Sequence, residues 1–250
     1  MKQLLYILAF TLIYLQSLSQ HKEESGVNLP KFYRNKMHFG FALAYNKTDF
    51  RIHTIKNSEL PDTVIGGVTY GMKTIYTKSD PGFALGIITD FRLHQYIRLR
   101  FTPNISFASR SLEYKLENAK RDSTKEYKKS VESTFLIFPL ELKLQSKRLD
   151  NFGAYVILGG GYSMDLVSKK KPVSSGGANQ LDDAVQLKRD DFFYSGGAGV
   201  DFYLQYFKLG LELKVLQGTK NLKQPLNNIF TNSLEKVNSK MVIFSITFEG

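Results

Sequence analysis

Cysteine and tryptophan are absent from the 250 residues, proline occurs seven times and histidine four. Without cysteine there is no disulfide, thiol nucleophile, cysteine-ligated metal or lipoprotein anchor, so packing and hydrogen bonds must hold the chain together. Past the N-terminus no apolar run reaches the about 20 residues that a membrane helix needs, and any membrane residence must use strands instead. Acidic residues are also in short supply, 23 against 34 Lys and Arg, a formal charge of +11. Such a balance favours anionic partners: nucleic acid, phospholipid or lipopolysaccharide.

What is present at the N-terminus, "MKQLLYILAFTLIYLQSLSQ", has one Lys, an apolar run from Leu4 to Leu15, and Ser17 and Ser19 in a small-x-small arrangement. This predicts a secretory signal peptide over 1–19, cleaved near Ser19–Gln20, the run being too short for a membrane anchor. Its removal takes away only Lys2, leaving +10. Export removes nucleic acid from the expected partners.

The mature chain alternates. In "MHFGFALAYN", Met37, Phe39, Phe41, Leu43 and Tyr45 share one face of an extended strand, while His38, Gly40, Ala42, Ala44 and Asn46 share the other. A solvated strand spends its outer face on Lys, Glu and Thr, so a face of Gly, Ala and Asn points into a narrow enclosed space. Seven further stretches follow the pattern, at 82–93, 97–110, 134–145, 152–166, 191–204, 207–215 and 240–250. The connections alternate strictly between short, at 94–95, 147–151 and 205–206, and long, near 50–80, 111–130, 167–188 and 217–238. An even strand count with tight turns at one end and long loops at the other predicts an all-β fold, an eight-stranded antiparallel up-and-down transmembrane β-barrel of outer-membrane type. The domain reading is a signal peptide at 1–19, a periplasmic N-terminal segment at 20–36 and the barrel at 37–250, with both termini periplasmic. Phe39, Phe91, Phe152, Phe202, Phe207 and Phe248 fall on the lipid-facing parity near the periplasmic ends, as an aromatic girdle requires. One helical turn is expected near Asn232 to Val237. The competing fold is a soluble exported β-sandwich or lipocalin-like barrel, which accounts poorly for the Gly, Ala and paired charges on the opposite face.

Eight strands leave a lumen with room only for side chains. Asp90, Arg92, Arg98, Arg100, Arg110, Glu141, Asp165, Asp201 and Glu212 share the inward parity, and isolated buried charges would be costly, so they are expected to form a stabilising network. Lys125, Lys128 and Lys129 in one long loop, and Lys169, Lys170 and Lys171 in the next, are expected to contact lipopolysaccharide.

Catalytic signals are weak. His21, His38, His53 and His94 lack metal-ligand spacing, and no cofactor is expected. The glycines at 159–161 and 196–199 lack the Lys-Ser/Thr and following helix of a phosphate loop, and suit room for lumen side chains or strand bending. The acidic doublets at 182–183 and 190–191 suit solvated loop charge. His53 with Asp49 and a loop serine is the single arrangement open to a lipid-modifying or proteolytic enzyme.

The segments "NLPKFYRNKMHFGFALAYNKTDFRI", "DPGFALGIITDFRL", "RFTPNISFASRSLEY", "ESTFLIFPLELKLQSKR" and "DFFYSGGAGVDFYLQYFKLGLELK" together resemble the PorT family of outer-membrane proteins over about Asn28 to Phe248. The resemblance implies an accessory, non-enzymatic barrel of the type IX secretion apparatus of Bacteroidota-type bacteria. That apparatus exports cargo bearing a C-terminal sorting domain, and serves gliding motility where that is present. It implies partners among other type IX components and outer-membrane lipid, and no catalytic residue. The alternatives are a general surface or lipopolysaccharide-interacting structural barrel, and a small outer-membrane lipid-modifying enzyme.

Overall fold

The computed structural model describes residues 27–54, 62–65, 68–118, 124–168, 187–224 and 233–250. Among the described residues a single 3-10 turn, Phe32–Arg34, precedes eleven strands: β1 (Met37–Thr54), β2 (Asp62–Ile65), β3 (Val68–Ser79), β4 (Pro81–Arg92), β5 (Ile97–Phe101), β6 (Asn104–Asn118), β7 (Thr124–Gln145), β8 (Phe152–Asp165), β9 (Asp190–Tyr203), β10 (Lys208–Gly218) and β11 (Leu234–Glu249). All pairings are antiparallel, and β1 closes the sheet by pairing with β11 on one side and β4 on the other.

The ring has eight positions because β2 pairs only with β3, outside the ring, and two ring strands are built from two pieces each. β3 and β4 run in line along β6, interrupted near Asp80, while β5 and β6 run in line between β4 and β7. The second break falls at Pro103, which has no N–H to give the ladder. Its carbonyl still accepts from Ile87 N at 3.0 Å, and the Asn104 side chain closes on the Thr102 carbonyl at 3.0 Å, so inward and outward parity survives the interruption.

Strand pairing continues well into the stretches read as long connections. β1 runs to Thr54, β2 and β3 form a hairpin inside 50–80, and β6 and β7 leave only 119–123 between them. Leu187 bridges Lys223, and Leu234–Val237 is strand, so the helical turn expected there is absent among the described residues. The reason is physical: above the bilayer both faces of a strand can be polar, which erases the period-2 signal while the backbone ladder persists. β7, with 22 residues, is about 70 Å long at 3.3 Å per residue, far beyond the apolar band of about 25 Å even when tilted. Of the predicted loop at 167–188, residues 169–186 lie outside the described residues.

The outer wall carries the apolar faces. Leu43 is paired with Leu85 and Ile246, and all three are exposed. Two aromatic rows bound this belt. The lower row holds Phe152 against Phe202 at 5.5 Å between ring centroids, and Phe248 against both Phe41 at 4.8 Å and Phe207 at 5.8 Å. An upper row, unrecognised in the sequence, aligns Phe244, Tyr45, Phe83 and Phe107 across β11, β1, β4 and β6. Inside, an apolar layer of Ala108, Phe135, Ile137, Phe193, Leu216, Met241 and Ile243 lies above the charged lumen. A second, built on Phe50, Tyr70, Leu112, Tyr114, Leu116, Leu187, Leu222, Leu234 and Val237, fills the end bearing the long connections.

Candidate functional site

The lumen is occupied by one continuous ionic network. Arg100 on β5 is its hub: Nη2 donates to Glu249 Oε1 at 2.6 Å and Asp90 Oδ2 at 3.0 Å, and Nη1 to Glu212 Oε2 at 3.4 Å. Arg98 Nε lies 3.8 Å from the same Asp90 oxygen. Lys208 joins Glu249 at 2.8 Å to Asp201 at 3.6 Å, and Lys143 meets Asp201 at 2.8 Å. Lys214 bridges Glu141 at 2.8 Å and Glu212 at 3.1 Å. The Ser195 hydroxyl donates to Glu141 Oε1 at 2.6 Å, and the Tyr155 hydroxyl to Glu212 Oε2 at 2.9 Å.

Five cations thus face five carboxylates, every one of them buried. Desolvating ten charges is tolerable only with this degree of mutual pairing. Seven ring positions donate side chains to the network. β1 donates space: a Cβ on Gly40 would sit 2.1 Å from the Phe248 carbonyl oxygen and 2.9 Å from Glu249 Cγ. Gly199 does the same on β9, where a Cβ would fall 2.5 Å from the Tyr155 ring. The small face of "MHFGFALAYN" is therefore the room in which the neighbouring charged chains lie.

Of the residues predicted from parity, Asp90, Arg98, Arg100, Glu141, Asp201 and Glu212 meet in this network. Arg110 and Asp165 lie higher as a separate contact at 4.0 Å. Arg110 also donates to Ser239 Oγ and packs 4.0 Å over the Phe50 ring, while the Asp165 carboxylate caps the backbone N–H of Val167. Arg92 does not join: it is half-buried and donates to the Tyr33 carbonyl at 2.8 Å, because β4 delivers it to the barrel mouth below the charged layer. Lys143, Lys208, Lys214 and Glu249 complete the network and were not singled out. Their inward parity was visible, but only the ring closure shows that they converge.

Below the network the N-terminal segment closes the mouth. Phe32 is buried, stacked on His38 at 3.7 Å between ring centroids, with Lys208 Nζ 4.9 Å from its ring. His38 Nε2 donates to the Phe32 carbonyl at 2.7 Å. The Tyr203 hydroxyl donates to Tyr33 Oη at 2.7 Å, Asn28 donates to the Tyr203 carbonyl at 2.9 Å, and Arg148 packs 3.9 Å over the Tyr203 ring. Burial raises the Tyr33 hydroxyl above its ordinary range, so it stays protonated and able to bond. Above the network a void lined by Ala42, Ala84, Gly86, Thr102 and Ile137 is about 30 Å³. That accommodates a water and little more.

Among the described residues the arrangement open to catalysis does not assemble, and the loop at 55–61 that follows His53 lies outside them. His53 and Asp49 sit on the outer wall of β1, four residues or about 13 Å apart along the strand. Asp49 Oδ1 instead accepts the Phe50 N–H at 2.8 Å. His94 is exposed in the β4–β5 turn, and His21 lies outside the described residues. Among the described residues no group of three metal-ligating side chains occurs. The glycines at 159 and 161 are sites of close backbone approach, where a Cβ would lie 2.3 Å from the Leu140 and Phe138 carbonyl oxygens. Asp190 accepts from the Tyr162 hydroxyl at 2.6 Å and Asp191 from Lys220 N at 3.0 Å, while 182–183 lie outside the described residues. Of the six lysines expected to meet lipopolysaccharide, Lys125, Lys128 and Lys129 lie in β7, paired through the backbone with Leu116, Glu113 and Leu112. Lys169, Lys170 and Lys171 are outside the described residues.

A membrane-crossing ring with lipid-facing aromatics and a plugged lumen defines an outer-membrane barrel. The chain belongs to the outer membrane protein beta-barrel domain family, whose model matches residues 18–224. None of the curated proteins matches it by sequence. Among solved structures it is similar to neisserial surface protein A, at 12% identity and a TM-score of 0.42 over 84% of this chain and 95% of that one. The outer-membrane protein OprG of Pseudomonas aeruginosa gives 13% and 0.42 over 85% and 92%, and the outer-membrane protease OmpT of Escherichia coli 10% and 0.39 over 85% and 95%.

Proposed function

We propose that the protein is a non-enzymatic accessory barrel required for type IX secretion of cargo carrying a C-terminal sorting domain, and for gliding motility where that is present. The carrying observation is the set of five PorT-like segments in fixed order, which fall on β1, β4, β5–β6, β7 and β9–β10. A plugged lumen agrees with an accessory role, since folded cargo has no path through it. In this reading the 1–19 signal peptide is removed and both termini face the periplasm. The barrel then acts by contact with other secretion components or by supporting lipopolysaccharide-linked surface attachment, the latter through the basic residues at 125–129 and 169–171.

Deleting the gene should trap C-terminal-domain cargo in the periplasm, with release restored by a plasmid copy. Normal release in the deletion strain would end the secretion assignment and leave the general surface or lipopolysaccharide-interacting barrel as the better reading. The lack of native cysteine makes topology directly readable. A Thr219→Cys variant should react with an impermeant maleimide on intact cells, whereas Lys147→Cys should react only after the outer membrane is permeabilised. Altered lipid A or protease activity that depends on His53 would instead identify an enzyme.

A further inference from the structure

Two residues above Tyr45, the outer face of β1 turns from apolar to ionic. Its outward positions run Met37, Phe39, Phe41, Leu43 and Tyr45, then Lys47, Asp49 and Arg51. β11 changes at the same height, from Phe244 and Val242 to Lys240 and Lys236. The register sets Asp49 opposite Lys240 and Arg51 opposite Asn238, which makes Lys240 a diagonal neighbour of both Lys47 and Arg51 and Lys236 a diagonal neighbour of Arg51. Diagonal neighbours are about 7–8 Å apart. Lys47, Lys240, Arg51 and Lys236 therefore climb the wall as an exposed zigzag, beginning where the upper aromatic row of Phe244, Tyr45 and Phe83 ends.

These cations differ from others on the outer wall. Lys73 pairs with Glu117 at 3.0 Å and Lys115 with Glu126 at 2.7 Å, but among the described residues none of the four has an ion-pair partner. Asp49, Asp80 and Glu235 are the nearby acids. Asp49 turns an oxygen to the Phe50 N–H, and among the described residues none of the three forms an ion pair. Four cations without an ion-pair partner, in register directly above an aromatic row, match a molecule with phosphates at the membrane surface and acyl chains below it.

We propose that Lys47, Arg51, Lys236 and Lys240 form a binding site for a phosphorylated glycolipid of the outer leaflet, its phosphates held by the zigzag and its acyl chains lying along the Tyr45 and Phe244 strip. The assignment rests on the orientation proposed above, in which this end of the barrel faces outward.

The test uses the full-length barrel in detergent, delipidated and offered bisphosphorylated lipid A, dephosphorylated lipid A, phosphatidylglycerol or inorganic phosphate. A K47Q/R51Q/K236Q/K240Q variant should lose roughly tenfold or more in affinity for bisphosphorylated lipid A. It should match the parent on the dephosphorylated form, and a K73Q/K115Q control should bind as the parent does. Heat-modifiable gel mobility checks folding, and the milder K47Q/K240Q pair replaces the fourfold variant if that one does not fold. Unchanged affinity in the folded variant overturns the site, as does equal binding of dephosphorylated lipid A by the parent. Preference for phosphatidylglycerol, or for inorganic phosphate alone, overturns the glycolipid assignment. Inverted cysteine labelling overturns the orientation, and with it the leaflet, whatever the lipid result.

Discussion

At the residue scale the network around Arg100 behaves as a unit, because each member neutralises more than one neighbour. Removing the hub leaves Asp90, Glu249 and Glu212 each short of a cation in a space with little room for water. Arg100→Ala is expected to destabilise the barrel by about 3–5 kcal/mol, the usual cost of breaking a buried ion pair from one side. Denaturant unfolding followed by heat-modifiable mobility measures this, and parental stability would show that the three carboxylates find other partners. Phe32 is the corresponding single residue of the plug at the mouth. Phe32→Ala removes its stack on His38 and its contact with Lys208, a loss of about 3 kcal/mol from the docked segment. Limited trypsin digestion should then cut at Lys31 or Arg34 well before the barrel itself opens. Cleavage no faster than in the parent would mean that Tyr33, Asn28 and Arg92 hold the segment without the ring.

At the element scale each strand has two solvents, lipid outside and a packed lumen inside, so the same substitution has opposite meanings on adjacent residues. Leu43 faces lipid between Leu85 and Ile246, near the middle of the apolar band. Leu43→Arg is expected to cost about 2–4 kcal/mol in folding from denaturant into lipid vesicles, whereas Leu43→Ala should cost far less. Equal costs for the two would place β1 outside the bilayer. The divided strand β5–β6 shows how an element can break without losing its faces. Pro103 interrupts the ladder, yet Arg100, Thr102 and Ser106 remain inward and Phe101 and Phe107 outward.

At the scale of the whole molecule the lumen is stoppered in succession by Phe32, the ionic network and two apolar layers. Such a barrel should show no steady ion conductance when reconstituted in a planar bilayer. A stable open state of uniform size would contradict the plugged lumen. Removing the 27–36 segment alone should leave the bilayer just as silent, because the ionic and apolar layers remain in place.

The strand parity, the antiparallel barrel and the lipid-facing aromatics of the lower row were determined by the sequence, because each depends on a period of two and on residue type alone. The inward placement of Asp90, Arg98, Arg100, Glu141, Asp201 and Glu212 followed in the same way. Register and closure belonged to the tertiary structure. Only the ring brings Glu249 of the last strand to Arg100 of the third ring position, sends Arg92 to the mouth rather than the network, and lines up Phe244, Tyr45, Phe83 and Phe107. The strands that continue past the bilayer were likewise hidden, because a ladder of backbone hydrogen bonds needs no alternation once neither face touches lipid. Periodicity tells each residue which side it faces, and distances across a closed barrel decide which residues it meets.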